Sequence, residues 1–161
     1  ITTFNICETI VQTVNTLEGT AAKKEISFVL DYNTQKELLV EADESKIHQV
    51  LYNLIDNAVK FSHNNSEIKI SLRKKGAKVF VSVKDSGIGI PKESLNKVFD
   101  RFYKTDISRG KDKRGTGLGL SISKEIIQAH NQTINVVSTV DVGTEFVFTL
   151  KYHSKKQEAS S

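Results

Sequence analysis

The hydrophobic period of this chain switches repeatedly between three-to-four residues and two, and that alternation restricts it to folds that layer helices on a sheet. Over residues 5–22 the apolar residues Ile6, Ile10, Val14, Leu17 and Ala21 recur at helical spacing. Residues 26–31 and 37–42 read as short strands, and Asp43 as the N-cap of a helix that runs through Phe61. Along that helix Ile47, Val50, Leu51, Leu54, Ile55 and Ala58 form one apolar stripe. Period two takes over at 68–73 and 78–84, a hairpin pair in which Val79, Val81 and Val83 alternate cleanly. The only proline, Pro91, opens a short helix near 92–98, and 120–129 is helical again. Residues 133–139 and 144–150 close as strands, the second through Phe146, Phe148 and Leu150. The order implies a two-layer α/β (α+β) sandwich: one mixed, mostly antiparallel sheet covered on one face by helices.

A length of 161 residues suits one domain with a single core. Residues 1–150 are expected to form it, with 151–161 as a flexible C-terminal tail, of which 154–161 has nothing to bury. No apolar run approaches the ~20 residues of a membrane helix, and no basic-then-apolar signal pattern opens the chain. Ile1 stands where a methionine would begin a complete chain, so the natural sequence is expected to extend upstream. The single cysteine, Cys7, excludes an internal disulfide and falls in the apolar pattern of the first helix, where packing is expected over reactivity. No Cys/His cluster has zinc spacing. The net charge is +4, and the cations gather at 104–114 and in the tail at Lys151, Lys155 and Lys156. They form no stripe and carry no interleaved stacking aromatics, which speaks against nucleic acid as a partner.

Four constellations carry chemistry. Asn53, Asn57 and Lys60 are spaced i, i+4, i+7, so they fall within about 60° of one another on a helix. They make a polar ridge on the flank of the apolar stripe, with Asp56 expected to point away. Amide oxygens suit a hard cation and an ammonium suits phosphate oxygens, although asparagine and lysine also decorate ordinary helix surfaces. DSGIGIP at 85–91 follows the alternating strand: Asp85 could accept from an exocyclic amine, and Gly87 and Gly89 would let a flat base approach, unless this is a plain turn. RGTGLGL at 114–120 leaves backbone N–H groups uncovered where a helix begins, an anion site. It lacks both the preceding strand of a Rossmann fingerprint and the Gly-Lys-Ser/Thr of a Walker loop. VFDRFYKT at 98–105 places Phe99, Phe102 and Tyr103 before the charged loop, as a small aromatic anchor for a mobile lid.

Taken in order, NxxxNxxK, DxGxG, FxxFY, GxGxG and a final Gly-Thr make residues 4–150 resemble the catalytic domain of sensor histidine kinases. Their superfamily includes type II topoisomerases, mismatch-repair ATPases and heat-shock chaperone ATPases. The resemblance implies a Bergerat-type ATP-binding fold that takes ATP and Mg2+. It implies transfer of the γ-phosphoryl group to a histidine on a separate dimerisation domain, for relay to a response regulator. It assigns Asn57 to magnesium, Asn53 to phosphates and metal-bound water, and Lys60, Tyr103 and Lys104 to the phosphates. Arginine is frequent where Lys104 stands, which weakens a bidentate grip there. Phe61 would pack on adenosine, Asp85 hold the adenine amine, Gly87 and Gly89 form the close turn and Ile90 wall the base. Gly115, Thr116, Gly117, Leu118 and Gly119 would cap the phosphates below a lid at 105–114, and Thr144 would join Asp85 around adenine. The last glycine box departs from the family, reading DVGT with Asp141 in place of a glycine. None of His48, His63, His130 and His153 lies in a phosphoacceptor pattern, so all four read as solvated or capping. The acceptor is then expected upstream of Ile1, and the fragment is expected to be a monomeric cytoplasmic domain of a membrane-anchored kinase. A glutamate base, which free-standing ATPases and serine kinases of the superfamily use, is replaced here by Asn53. A degenerate, nucleotide-free binding module would not need Asp85, Asn57 and the box glycines.

Overall fold

The computed structural model describes residues 1–32, 37–100 and 119–154, and its organising element is the last strand. The described elements are β1 (Thr2–Asn5), α1 (Ile6–Ala22), β2 (Ser27–Asp31), β3 (Leu39–Ala42), α2 (Glu44–Phe61), β4 (Glu67–Lys75) and β5 (Lys78–Asp85). A 3₁₀ helix (Lys92–Lys97), α3 (Gly119–Ala129), β6 (Ile134–Thr139) and β7 (Gly143–Tyr152) follow. One edge of β7 pairs with β5 from Lys78↔Lys151 to Asp85↔Thr144. The other edge is shared: β6 occupies Gly143 to Phe148, and β3 takes over at Lys151 and Tyr152. The path β1-β3-β7-β5-β4-β2 is antiparallel except for the β2–β4 pair, so the sheet is mixed and mostly antiparallel, as the periodicity implies. β7 runs two residues past Leu150, and His153 N–H still donates to Leu39 O at 2.9 Å. Lys151 and Tyr152 therefore belong to the sheet. β1, which the sequence pattern leaves unassigned, exists because Thr2–Asn5 finds an antiparallel partner in Leu39–Ala42.

The core lies between one face of this sheet and the three helices. Ile68, Ile70 and Leu72 of β4, Val79, Val81 and Val83 of β5 and Phe146, Phe148 and Leu150 of β7 meet the α2 stripe Ile47, Val50, Leu51, Leu54 and Ile55, all buried. Cys7 is buried in the same cluster, and burial pushes its thiol pKa up, as fits a packing residue. On the opposite face Lys75, Lys78 and Lys151 stand directly across from one another. Cations distant in sequence thus form a row that no contiguous run reveals.

Both ends of α2 are tied to other elements. At its start Asp43 Oδ1 accepts from Lys46 N–H at 3.2 Å, the expected cap. Asp43's own N–H donates to His130 Nε2 at 3.0 Å, while His130 Nδ1 lies 2.8 Å from Ile126 O. The carbonyl needs a donor and the N–H an acceptor, so the two contacts assign the neutral Nδ1–H tautomer. His130 thereby joins the end of α3 to the start of α2. At the other end Lys24 Nζ donates to Val59 O at 2.7 Å and to Lys60 O at 3.1 Å, placing a cation on the carbonyl end of the helix dipole. Replacing His130 with alanine is expected to cost about 1–2 kcal/mol, because it leaves the Asp43 N–H without its acceptor. Urea denaturation checks this, and unchanged stability would show that water replaces the imidazole without penalty.

Candidate functional site

The site forms where the end of α2, the turn after β5 and the β6–β7 hairpin converge. Asp85 is the last residue of β5 and the cross-strand partner of Thr144; they are only 5% and 7% exposed. Gly87 N–H donates to Asp85 Oδ1 at 2.8 Å. A Cβ on Gly87 would stand 2.0 Å from the carbonyl oxygen of Phe61, and one on Gly89, whose φ is +73°, 2.2 Å from that of Thr139. Two backbone bonds fasten the turn in this gap: Ile88 N–H to Phe61 O at 3.2 Å and Asp141 N–H to Ile88 O at 2.8 Å. The glycines are therefore required first by protein backbone, wedged between helix and hairpin, before any ligand approaches. Asp141 sits at φ +63°, in the left-handed region that Asp tolerates, and so preserves the turn in the departed DVGT box.

Burial pushes the Asp85 carboxyl above the usual carboxylate range, opposed by the N–H donors of Gly87 and Thr144 and by the charges of His63 and Lys24. The site therefore holds a carboxylate whose burial outweighs the two N–H donors it already has.

The α2 ridge lies on the helix whose end, at Phe61, meets this turn. Asn53 Nδ2 donates to Gly119 O at 3.3 Å and to Ser123 Oγ at 3.4 Å, tying α2 to the first described turn of α3. Asn57 is half-buried and has no hydrogen-bond partner among the described residues. Lys60 Nζ lies 3.1 Å from Asp56 Oδ2. Asp56 therefore does not point away from the ridge: one turn of helix sets residues 56 and 60 about 40° apart, within reach of each other. Phe61 and Ile90 are half-buried, and Ile90 packs against the core. Tyr103, Lys104, Gly115, Thr116, Gly117 and Leu118, with Phe102 and the 105–114 segment, lie outside the described residues.

One residue of the site had no sequence signal. Ser138 on β6 takes the Ile90 N–H on its Oγ at 2.7 Å and lies 2.8 Å from Thr144 Oγ1 and 2.9 Å from Gly143 O. It links the turn after β5 to the Gly-Thr pair. Serine in a strand is too common to stand out without the neighbour that gives it a role.

Asp85 is a buried carboxylate and Asn57 an amide without a hydrogen-bond partner among the described residues, and the likeness to known proteins gives the family. The sequence family described as histidine kinase-, DNA gyrase B- and HSP90-like ATPases matches residues 42–154. The chain belongs to that family. Among its relatives, the sensor histidine kinase WalK of Bacillus subtilis is 44% identical over 125 residues, covering 76% of this chain and 20% of that protein. The sensor protein RprX of Bacteroides fragilis is 42% identical over 114 residues, covering 70% and 22%. The nucleotide-free catalytic domain of histidine kinase ThkA superposes with a TM-score of 0.82 at 36% identity, over 93% of this chain and 94% of that one. The fold and the family are those of a sensor histidine kinase ATP-binding catalytic domain. The chain spans about a fifth of the length of the curated relatives named here.

Asp85's raised pKa makes a stability prediction with a definite sign. A carboxyl whose folded pKa lies above its unfolded value of about 3.9 stabilises the fold below that pH, and the contribution is lost as pH rises through the folded pKa. At pH 7 the buried charge weighs on the ligand-free domain, so Asp85→Asn is expected to be more stable there than the parent. That advantage should shrink as pH falls toward 4. Denaturant titrations at the two pH values measure it; a less stable variant at pH 7 would mean that the N–H donors outweigh desolvation.

Proposed function

We propose that this domain binds Mg-ATP and supplies the γ-phosphoryl group to an imidazole nitrogen on a separate dimerisation domain of its parent kinase, for relay to a response regulator. The observation that carries the reading is the buried Asp85–Thr144 pair, followed by a turn packed on the end of α2, the helix that carries the half-buried amide ridge. A buried carboxylate that accepts from an amino group recovers its desolvation cost, and the adenine 6-amino group is such a donor. Guanine offers a carbonyl in its place.

The ridge fits a nucleotide's phosphates and a hard cation. Among the described residues no group of three or more His, Cys, Asp or Glu is placed to hold a metal. A magnesium ion would take its protein ligand from the Asn57 amide oxygen and the rest of its oxygens from phosphate and water. When bound it neutralises phosphate charge. Asn53 supports the same phosphates from one turn earlier. Lys60 is held by Asp56, and reaching phosphate requires it to exchange that partner. Neither Asn53 nor Asn57 can accept a proton, and the Asp56 carboxylate beside them is paired with Lys60, so neither ridge amide can activate water. The ridge suits transfer to a separate nucleophile better than hydrolysis, since phosphoryl transfer rests chiefly on positioning and charge. Tyr103, Lys104 and the glycines 115, 117 and 119 complete the phosphate side in this reading, with 105–114 as lid.

The relatives support the wider assignment. Histidine kinase ThkA in complex with response regulator TrrA superposes with a TM-score of 0.79 at 34% identity, over 94% of this chain and 42% of that one. No helix among the described residues is long and apolar enough to cross a membrane. We place the domain on the cytoplasmic side of a membrane-anchored sensor, monomeric when separated from its dimerisation helices.

Three outcomes are expected. In calorimetry ATP should bind at least about tenfold more tightly than GTP, and Asp85→Asn should weaken ATP by about 1.5–3 kcal/mol. Equal ATP and GTP affinity would remove the adenine assignment. Asn57→Ala should leave the fold intact, since its amide bonds nothing described, yet abolish phosphotransfer in the full-length kinase assayed with radiolabelled ATP. Transfer at the parental rate would show that Asn57 does not hold the metal.

A further inference from the structure

Three contacts converge on the Ser138 hydroxyl, and counting protons among them determines which way its neighbour points. A hydroxyl has one proton and two lone pairs. Ile90 N–H donates to Ser138 Oγ at 2.7 Å and occupies one lone pair. The Gly143 carbonyl, 2.9 Å away, has no proton, so Ser138 gives it its own. One lone pair is left for Thr144 Oγ1, 2.8 Å away, and that contact holds only if Thr144 is the donor. Thr144 spends its single proton on Ser138 and has only lone pairs left.

Thr144 and Asp85 are cross-strand partners, so their side chains lie on the same face of the sheet. We propose that Ser138 is a specificity-determining positioning residue: by absorbing the Thr144 proton it makes Asp85 and Thr144 a pair of acceptors. Such a pair takes a group carrying two N–H protons, as the 6-amino group of a purine does, directly or through a water. It repels a 6-carbonyl, which a freely rotating threonine hydroxyl would satisfy by turning its proton inward. The discrimination resides in a serine that touches neither base nor phosphate. The inference rests on the adenine reading of Asp85 and says how that reading excludes the oxo-purine.

The test compares ADP with IDP, inosine diphosphate, which replaces the 6-amino group by a carbonyl. Both are titrated by calorimetry into the purified chain and into Ser138→Ala, Ser138→Thr, Thr144→Val and the Ser138→Ala/Thr144→Val double variant. The parent should prefer ADP. Ser138→Ala should lower the ADP-over-IDP ratio by about five- to tenfold, the size of one hydrogen bond gained or lost. Ser138→Thr, which keeps the hydroxyl, should retain the parental ratio. In the Thr144→Val background the serine change should leave the ratio where it is, because there is no hydroxyl left to orient. A merely structural serine, needed only to hold the turn through Ile90, would weaken both nucleotides equally and leave the ratio unchanged, and that result overturns the proposal. A parent that binds ADP and IDP alike overturns the adenine reading itself, and the inference with it. Ser138→Cys, similar in volume but a weak hydrogen-bonding group, carries the same test should the alanine variant not fold.

Discussion

Asp85 ends β5 beneath the last turn of α2, its carboxylate almost wholly removed from water and met by the Gly87 N–H at 2.8 Å. Keeping a charge in that position depends on backbone brought close around it. The turn at 85–90 approaches Phe61 on one side and Thr139 on the other so tightly that a methyl group at Gly87 or Gly89 would overlap a carbonyl oxygen. Strand, helix end and hairpin are thereby locked at one place. Such a buried carboxylate is unfavourable to the fold, and in the proposed reading it recovers that cost from the adenine amino group.

α2 is the element through which this arrangement is held in register. Its apolar stripe seats it on the sheet, and its ends are secured by residues from elsewhere: His130 from the end of α3 at the start, Lys24 from beyond α1 at the finish. Asn53 adds a third tie, to Gly119 and Ser123 at the beginning of α3. A helix fastened at both ends and in the middle presents Asn57 at a defined depth. In the proposed phosphoryl transfer, which rests on placement more than on proton transfer, that fixed depth is the contribution of the fold.

The Asp56–Lys60 pair holds the ridge ammonium beside a carboxylate, and half-exposed pairs of this kind are worth little on their own. At the base end, Ser138 sets the direction of one proton and so the character of the Thr144 hydroxyl.

The sequence by itself determined the element types, the apolar faces, the Asp43 cap and the Asp85–glycine turn, because each depends on residues adjacent in the chain or one helical turn apart. Periodicity and capping are local, and local chemistry is readable in one dimension. It did not determine β1, whose four residues, TTFN, become a strand only through pairing with β3. Nor did it determine the two partners of β7, the Lys75–Lys78–Lys151 row, or the end of the last strand at Tyr152. His130 looked like any polar residue after a helix until folding set the Asp43 N–H 3.0 Å from its ring, a contact across 87 positions. Ser138 acquired its role only when Ile90, 48 positions away, came to lie beside the Gly143–Thr144 pair. Hydrogen bonds act over about 3 Å, and only the tertiary structure decides which distant groups come that close.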